Sequence, residues 1–371
     1  MRRGLKEHAG AGMRALIDRR AFALAAASTL MMSCPARSAR QVTDSANRKV
    51  ELPDRISRVF AAGGPAAVAI YVLRPDSMVG WPREMREEEK RYVLPNVRDL
   101  PGVGLITGRG DTANIELVLR TRPDLVVDFG STRDIYVSLA NSVHNRTGIP
   151  YVLIDGRLQA TAASLRLLGG MLGVPERGET LARYTEDLLA RLSAALDKIT
   201  EARHPRVYLA RGPTGLETGL KGSINTEIIE RAGGQNVADG GDQRRGIANV
   251  SREQVLLWNP DIVVTWDRTF FAYVTQRPDP IWQSVKAVAE KRVYLAPTAP
   301  FGWIDRPPSL NRLIGLAWLA NIFHGARFAF DIVEDTRAFY KLFYGVDVSD
   351  ADLGTLIAWA DGQPPGMPAR R

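Results

Sequence analysis

Residues 116–128 read Glu-Leu-Val-Leu-Arg-Thr-Arg-Pro-Asp-Leu-Val-Val-Asp, and residues 253–265 read Glu-Gln-Val-Leu-Leu-Trp-Asn-Pro-Asp-Ile-Val-Val-Thr. In both copies a Glu opens an apolar-rich turn, Pro follows seven residues later, and Asp and three aliphatic residues come next. Pro cannot continue a helix, and an unbroken aliphatic run suits a strand covered on both faces. Each copy therefore reads as a short amphipathic helix that stops at Pro-Asp and runs into a buried strand. The copies lie 137 residues apart, a spacing that belongs to a two-lobed protein and not to a solenoid of short repeats. Two similar α/β lobes facing each other enclose a cleft.

Outward from the first copy, residues 59–62, 79–81 and 151–154 read as further strands alternating with helices. They give an N-terminal α/β lobe over 42–157, in which the charged stretch 83–91 is an exposed helix. From 158 to 203 the chain is almost wholly helix-forming, and Leu181, Leu188, Leu192, Ala195 and Ile199 recur at helical spacing within 176–201. At 1.5 Å per residue that helix would extend about 40 Å, enough to join two lobes stiffly and allow modest closure. The second copy anchors a C-terminal α/β lobe over 204–345, and 346–371 is an extension and tail. The expected fold class is α/β, with two Rossmann-like lobes bridged by one long α-helix.

The N-terminus reads as an export signal over residues 1–39. Asp18-Arg19-Arg20-Ala21-Phe22-Ala23-Leu24 carries the twin-arginine pattern, and the weakly apolar run after it is too short to span a bilayer. That segment supplies +5 of the formal charge of +8, leaving +3 for the rest. No basic run interleaved with aromatics suggests a nucleic-acid surface. The single cysteine, Cys34, is either lost with the signal or becomes the acylated first residue of a lipid-anchored form; no disulfide within one chain is available in either case.

The chain resembles the class III periplasmic substrate-binding proteins of ABC importers. The matching pieces are Val42-Thr43-Asp44 leading to Arg58-Val59, the repeated Glu…Pro-Asp segment, Gly148-Ile149-Pro150, Leu167-Leu168-Gly169, the I-I-E-R-A-G-G-Q-N-V of 228–237 and Val250-Ser251-Arg252-Glu253-Gln254-Val255. Their order covers 42–325, and 300–319 resembles a subgroup of iron-complex or molybdate binders. The resemblance implies two lobes bridged by one helix, ligands such as ferric siderophores, haem, cobalamin or molybdate-type oxoanions, and no intrinsic cofactor. It also implies docking of Glu116 and Glu253 onto a permease dimer, although a Glu in the first turn of a helix is stabilised there by the dipole alone.

A ligand site is expected at the carboxyl ends of the strands. This points to Gly64, Pro65, Trp81, Arg133 and Tyr136 on the N-lobe and to Arg211, Arg245, Trp266 and Trp303 on the C-lobe. Arginine offers a permanently charged fork for carboxylate, catecholate or oxoanion groups, and tryptophan a flat apolar wall. Arg306 reads equally as an ion-pair partner of Asp305. His144, His204 and His324 are far apart and read as helix-end cations or surface residues, so a complexed metal or an anion fits better than a bare metal ion. Local enzyme motifs are lacking. The expectation is a periplasmic receptor that captures an iron complex, a siderophore or haem-like chelate, and delivers it to an ABC importer. The alternatives are a receptor for molybdate, tungstate or cobalamin and, in a different class, an exported hydrolase with a non-local active site.

Overall fold

The computed structural model describes residues 39–107, 115–200, 204–241, 246–277, 279–325 and 328–357. Residues 1–38 of the expected export signal, Cys34 among them, Arg245 and residues 358–371 of the tail lie outside the described residues. Both copies of the repeat fold as read. The helices Ile115–Thr121 and Arg252–Trp258 lead into the strands Leu125–Gly130 and Ile262–Thr265, and Leu125, Val126, Val127, Ile262 and Val263 are wholly buried.

The likeness extends to single bonds. Arg122 (φ 45°) and Asn259 (φ 43°) end their helices in the left-handed conformation, which satisfies terminal carbonyls before the Pro. The next residue but one, Asp124 or Asp261, donates its N–H to the carbonyl of Arg58 or Arg206 at 2.8 Å in each case. Its carboxylate accepts from that same arginine's N–H, at 3.0 and 2.9 Å. The guanidinium of Arg58 or Arg206 then caps the helix end at the carbonyl of Thr121 or Trp258, 2.7 Å in both lobes. The repeat thus includes an arginine at the start of the neighbouring strand, Arg58 just before Val59–Ala61 and Arg206 opening Arg206–Ala210.

The N-lobe sheet runs in the order Val59–Ala61, Leu125–Gly130, Tyr151–Asp155, all parallel. Residues 79–81, expected as a strand, only prolong its edge: single bridges join Met78 to Val59 and Trp81 to Gly102. The C-lobe sheet is also parallel, in the order Val293–Leu295, Ile262–Thr265, Arg206–Ala210, Gln235–Asn236. Parallel strands with helical crossovers make a mixed α/β fold of two lobes.

Helix Pro175–Leu196 carries the chain from one lobe towards the other. Pro175 starts it and its 22 residues make it about 33 Å long, shorter than 176–201 would give. It lies against Thr161–Leu172 by backbone contact, since a Cβ on Gly178 would come within 2.7 Å of the Leu165 carbonyl oxygen. A second junction is made by Arg312, 1 % exposed, at the start of the buried helix Arg312–His324. Its guanidinium donates to the Gly156 carbonyl (2.6 Å) beyond the N-lobe sheet and to Glu227 Oε1 (2.6 Å) in the C-lobe, and Glu227 accepts in turn from Leu158 N–H (3.0 Å). Around this junction the main core runs through both lobes, from Leu52 to Ile357. His324 ends its helix, but burial lowers its pKa and its ring lies 5.9 Å from that of His204, so it is a packed neutral group more than a helix-end cation.

Candidate functional site: an arginine-lined cleft

A cleft of about 520 Å³ opens beyond the carboxyl ends of the central strands. On the N-lobe side it begins at Gly64, which follows strand Val59–Ala61 and opens helix Gly64–Leu73. A Cβ on Gly64 would lie 3.2 Å from Pro307 of the facing segment, so the glycine permits close approach there. Trp81 contributes to the floor, held by a 2.7 Å bond from its indole N–H to the Val97 carbonyl and packed on Phe301 with ring centroids 5.8 Å apart. Trp266 follows strand Ile262–Thr265 and walls the C-lobe side.

Charge comes chiefly from a segment read in the sequence as an exposed helix. Only Glu87–Lys90 is helical, and at its centre Glu89 is 1 % exposed. Both of its oxygens accept from guanidiniums: Arg83 Nη2 and Arg86 Nη2 reach Oε1 at 2.6 Å each, and Arg83 Nη1 reaches Oε2 at 2.8 Å. The Arg86 backbone N–H adds 2.9 Å to Oε2. Burial pushes the Glu89 pKa up, but the two arginines and that backbone bond outweigh it and hold the carboxyl below its ordinary value. Arg83 and Arg86 stay more than half exposed and line the cleft.

Facing them, Arg306 lies over the Trp266 ring, its guanidinium carbon 4.7 Å from the centroid. Its pKa is lowered by partial burial and then by the like charges of Arg86 and Arg83. Four arginines and two carboxylates line the cleft, a net of two positive charges. One carboxylate, Asp267, accepts from Thr269 and Phe270 N–H as the N-cap of helix Arg268–Gln276.

Of the nine residues expected at a ligand site, the structure brings Gly64, Trp81 and Trp266 to this cleft. Pro65 is next to it, with its carbonyl accepting from Ser309. Arg133 is exposed on the start of helix Asp134–Thr147 and bonds Ser131; Tyr136, one turn on, packs on the outer N-lobe core. Trp303 is fully buried and donates to Tyr340 Oη at 3.1 Å. Arg211 turns inward to Asp305 (2.6 Å) and Glu217 (2.7 Å), because the wholly buried Asp305 needs a counter-charge. Asp305 is therefore paired with Arg211, while Arg306 faces the cleft. Glu116 and Glu253 are both exposed in the first turns of the repeated helices.

Sequence reasoning missed Arg83, Arg86 and Glu89, and left Arg306 undecided between the ligand site and an ion pair with Asp305. The available signal was the spacing Arg83, Arg86, Glu89, which lets one carboxylate reach two guanidiniums. Among the described residues no group of three His, Cys, Asp or Glu is placed to hold a metal ion, and no helix is long and apolar enough to cross a membrane.

Two parallel-sheet lobes around a basic, aromatic cleft describe a binding protein. The chain belongs to the periplasmic binding protein family, whose model matches residues 67–300, more than half of its length. It is 24% identical over 340 residues to the molybdate-binding protein MolA of Haemophilus influenzae, covering 84% of this chain and 93% of that one. It is 28% identical to the cobalamin-binding protein of Halobacterium salinarum, over 76% of this chain and 73% of that one. An ABC transporter solute-binding protein from Sulfurospirillum deleyianum superposes with a TM-score of 0.77 at 29% identity, across 86% of this chain and 99% of that structure. The family consists of solute receptors of ABC transporters and not of enzymes.

Proposed function

We propose that this receptor captures an anionic iron chelate, of siderophore or haem-like type, in the cleft and delivers it to an ABC importer. The observation that carries the reading is the cluster of Arg83, Arg86 and Arg306 around the single buried carboxylate of Glu89, framed by Trp81, Phe301 and Trp266. Guanidiniums bind the oxygens of carboxylate or catecholate groups, and the indoles and Phe301 cover the apolar body of a chelate. The volume of about 520 Å³ falls in the range of small-molecule sites and far exceeds one tetrahedral anion. Glu116 and Glu253, one per lobe on equivalent exposed helices, offer two copies of one carboxylate contact to a paired permease. Export through the twin-arginine signal would place the protein in the periplasm, freely or through an acylated Cys34.

A second reading, a receptor for molybdate or tungstate, is favoured by the likeness to the molybdate-binding protein over most of both chains. Thermal unfolding against ferric siderophores, haem, cobalamin, molybdate, tungstate and free divalent metals separates the two. A specific ligand at a hundredfold excess over its Kd stabilises by about 2.7 kcal/mol. A shift with a ferric chelate alone supports the first reading and one with molybdate or tungstate alone the second. No shift with any of them rejects both.

A further inference from the structure

We infer that Glu89 is a positioning residue that sets the charge preference of the cleft, matching it to an oxygen-bearing group with two negative charges. This rests on the anionic-cargo reading and goes beyond it by naming what selects the anion. Three observations carry it. First, Glu89 is 1 % exposed and accepts from both Arg83 and Arg86, so one carboxylate fixes two guanidiniums as a single platform. A carboxylate offers about four acceptor positions, and the two arginines with the Arg86 backbone N–H fill them. Glu89 thus has no capacity left for a cargo and acts only through the arginines. Second, Arg306 reaches the same cavity from the other lobe, aligned by Trp266, and shares the field of Arg83 and Arg86. Third, the charge balance depends on Glu89: the four arginines of the cleft with Asp267 alone present +3, and with Glu89 as well +2.

The consequence is a site that is positive but fixed. A preorganised pair of guanidiniums binds a doubly charged oxygen face without having to gather its donors first. A singly charged anion of the same shape gains about half the Coulomb energy from the same donors. Two sources can supply the dianionic face, a free metal oxoanion or the outer oxygens of a metal chelate. Their shared chemistry is what Glu89 selects.

The test is a titration of the full chain, followed by tryptophan fluorescence, with two probe pairs. Molybdate and perrhenate are tetrahedra of similar size with charges of 2− and 1−. Ferric citrate and the ferric tris-acetohydroxamate complex are, respectively, negatively charged and neutral. The wild-type protein is expected to prefer the more negative member of the pair it binds by about tenfold or more, and the pair that binds identifies the source. In Glu89→Gln the platform loosens, so the preference falls at least threefold and the more negative probe binds more weakly, although the cleft has become more positive. Tighter binding of that probe in Glu89→Gln would overturn the inference, because Glu89 would then be a mere counter-charge. An unchanged preference alongside a lower Tm would overturn it as well, leaving a structural role. If Glu89→Gln does not fold, Glu89→Asp keeps the charge but is too short to span both guanidiniums; a reduced preference supports the inference and an unchanged one overturns it. A wild-type protein that binds no probe of either pair would reject the anionic-cargo reading itself, and the inference with it.

Discussion

Replacing Arg306 by Gln removes a guanidinium that contacts no carboxylate among the described residues yet faces the cleft beside Arg83 and Arg86. Its folded-state role is small. The stack on Trp266 at 4.7 Å is worth about 0.5–1 kcal/mol at an exposed site, and repulsion from Arg83 and Arg86 offsets part of it. Stability should therefore change by no more than about 0.5 kcal/mol, as for most surface substitutions. Binding is different, because a hydrogen bond to a charged group contributes about 1.5–3 kcal/mol. At 1.4 kcal/mol per decade, Arg306→Gln should raise Kd for the cargo by roughly 10- to 150-fold. Calorimetric titration gives Kd, and thermal unfolding of the same samples without ligand gives stability. The wild-type affinity should also fall more steeply with salt than that of the variant. An unchanged Kd would refute the reasoning, and so would a loss of affinity that merely tracks a loss of stability.

Three further predictions concern the lobes and their surfaces. Burial raises the Asp128 pKa to about 6, against bonds from Tyr151 and Thr107 that lower it. A folded pKa above the unfolded value near 3.9 means that the protonated form favours folding; this contribution is complete below pH about 4 and lost as pH rises through 6. Urea unfolding of wild type and Asp128→Asn should thus diverge by up to about 3 kcal/mol between pH 4 and pH 7, wild type losing ground, whereas parallel pH profiles would contradict the burial argument. Asp305→Ala strips a counter-charge from Arg211 and should cost about 3 kcal/mol in the same assay; a loss below about 1 kcal/mol would mean that Glu217 alone satisfies Arg211. Charge reversal at both Glu116 and Glu253 should leave cargo affinity and Tm unchanged while abolishing uptake, and a weakened affinity would remove the docking assignment.

The repeat was the legible part of the fold because its physics is local. Pro ends a helix and aliphatic triplets bury wherever a sheet is covered twice, whereas the bonds of Asp124 and Asp261 to Arg58 and Arg206 join positions 66 and 55 residues apart and show only in the fold. The extent of the long helix was less legible: composition alone does not reveal that 197–200 turns away after Leu196. At the site, Trp81, Trp266 and Gly64 were accessible to reasoning because each follows a recognisable strand or bridge. Arg83 and Arg86 were not, since Glu87, Glu88 and Glu89 look alike in sequence and only the tertiary fold buries the third. The exchange between Arg211 and Arg306 has the same origin. Whether an arginine pairs inward or faces a cavity depends on which carboxylate is buried beside it, and Asp305 is buried by packing remote in sequence.

The most direct test of the central claim is metal retention. Folded wild-type protein and Arg306→Gln are dialysed to equilibrium against a ferric chelate or molybdate, and the metal held in excess of the dialysate is determined by elemental analysis. At a free ligand concentration near the wild-type Kd, wild type should hold about half an equivalent of one of these cargoes, rising to one equivalent in excess ligand, while Arg306→Gln at the lower concentration should hold less than about a tenth. Retention of nothing by wild type, or equal retention by both proteins, would contradict the claim.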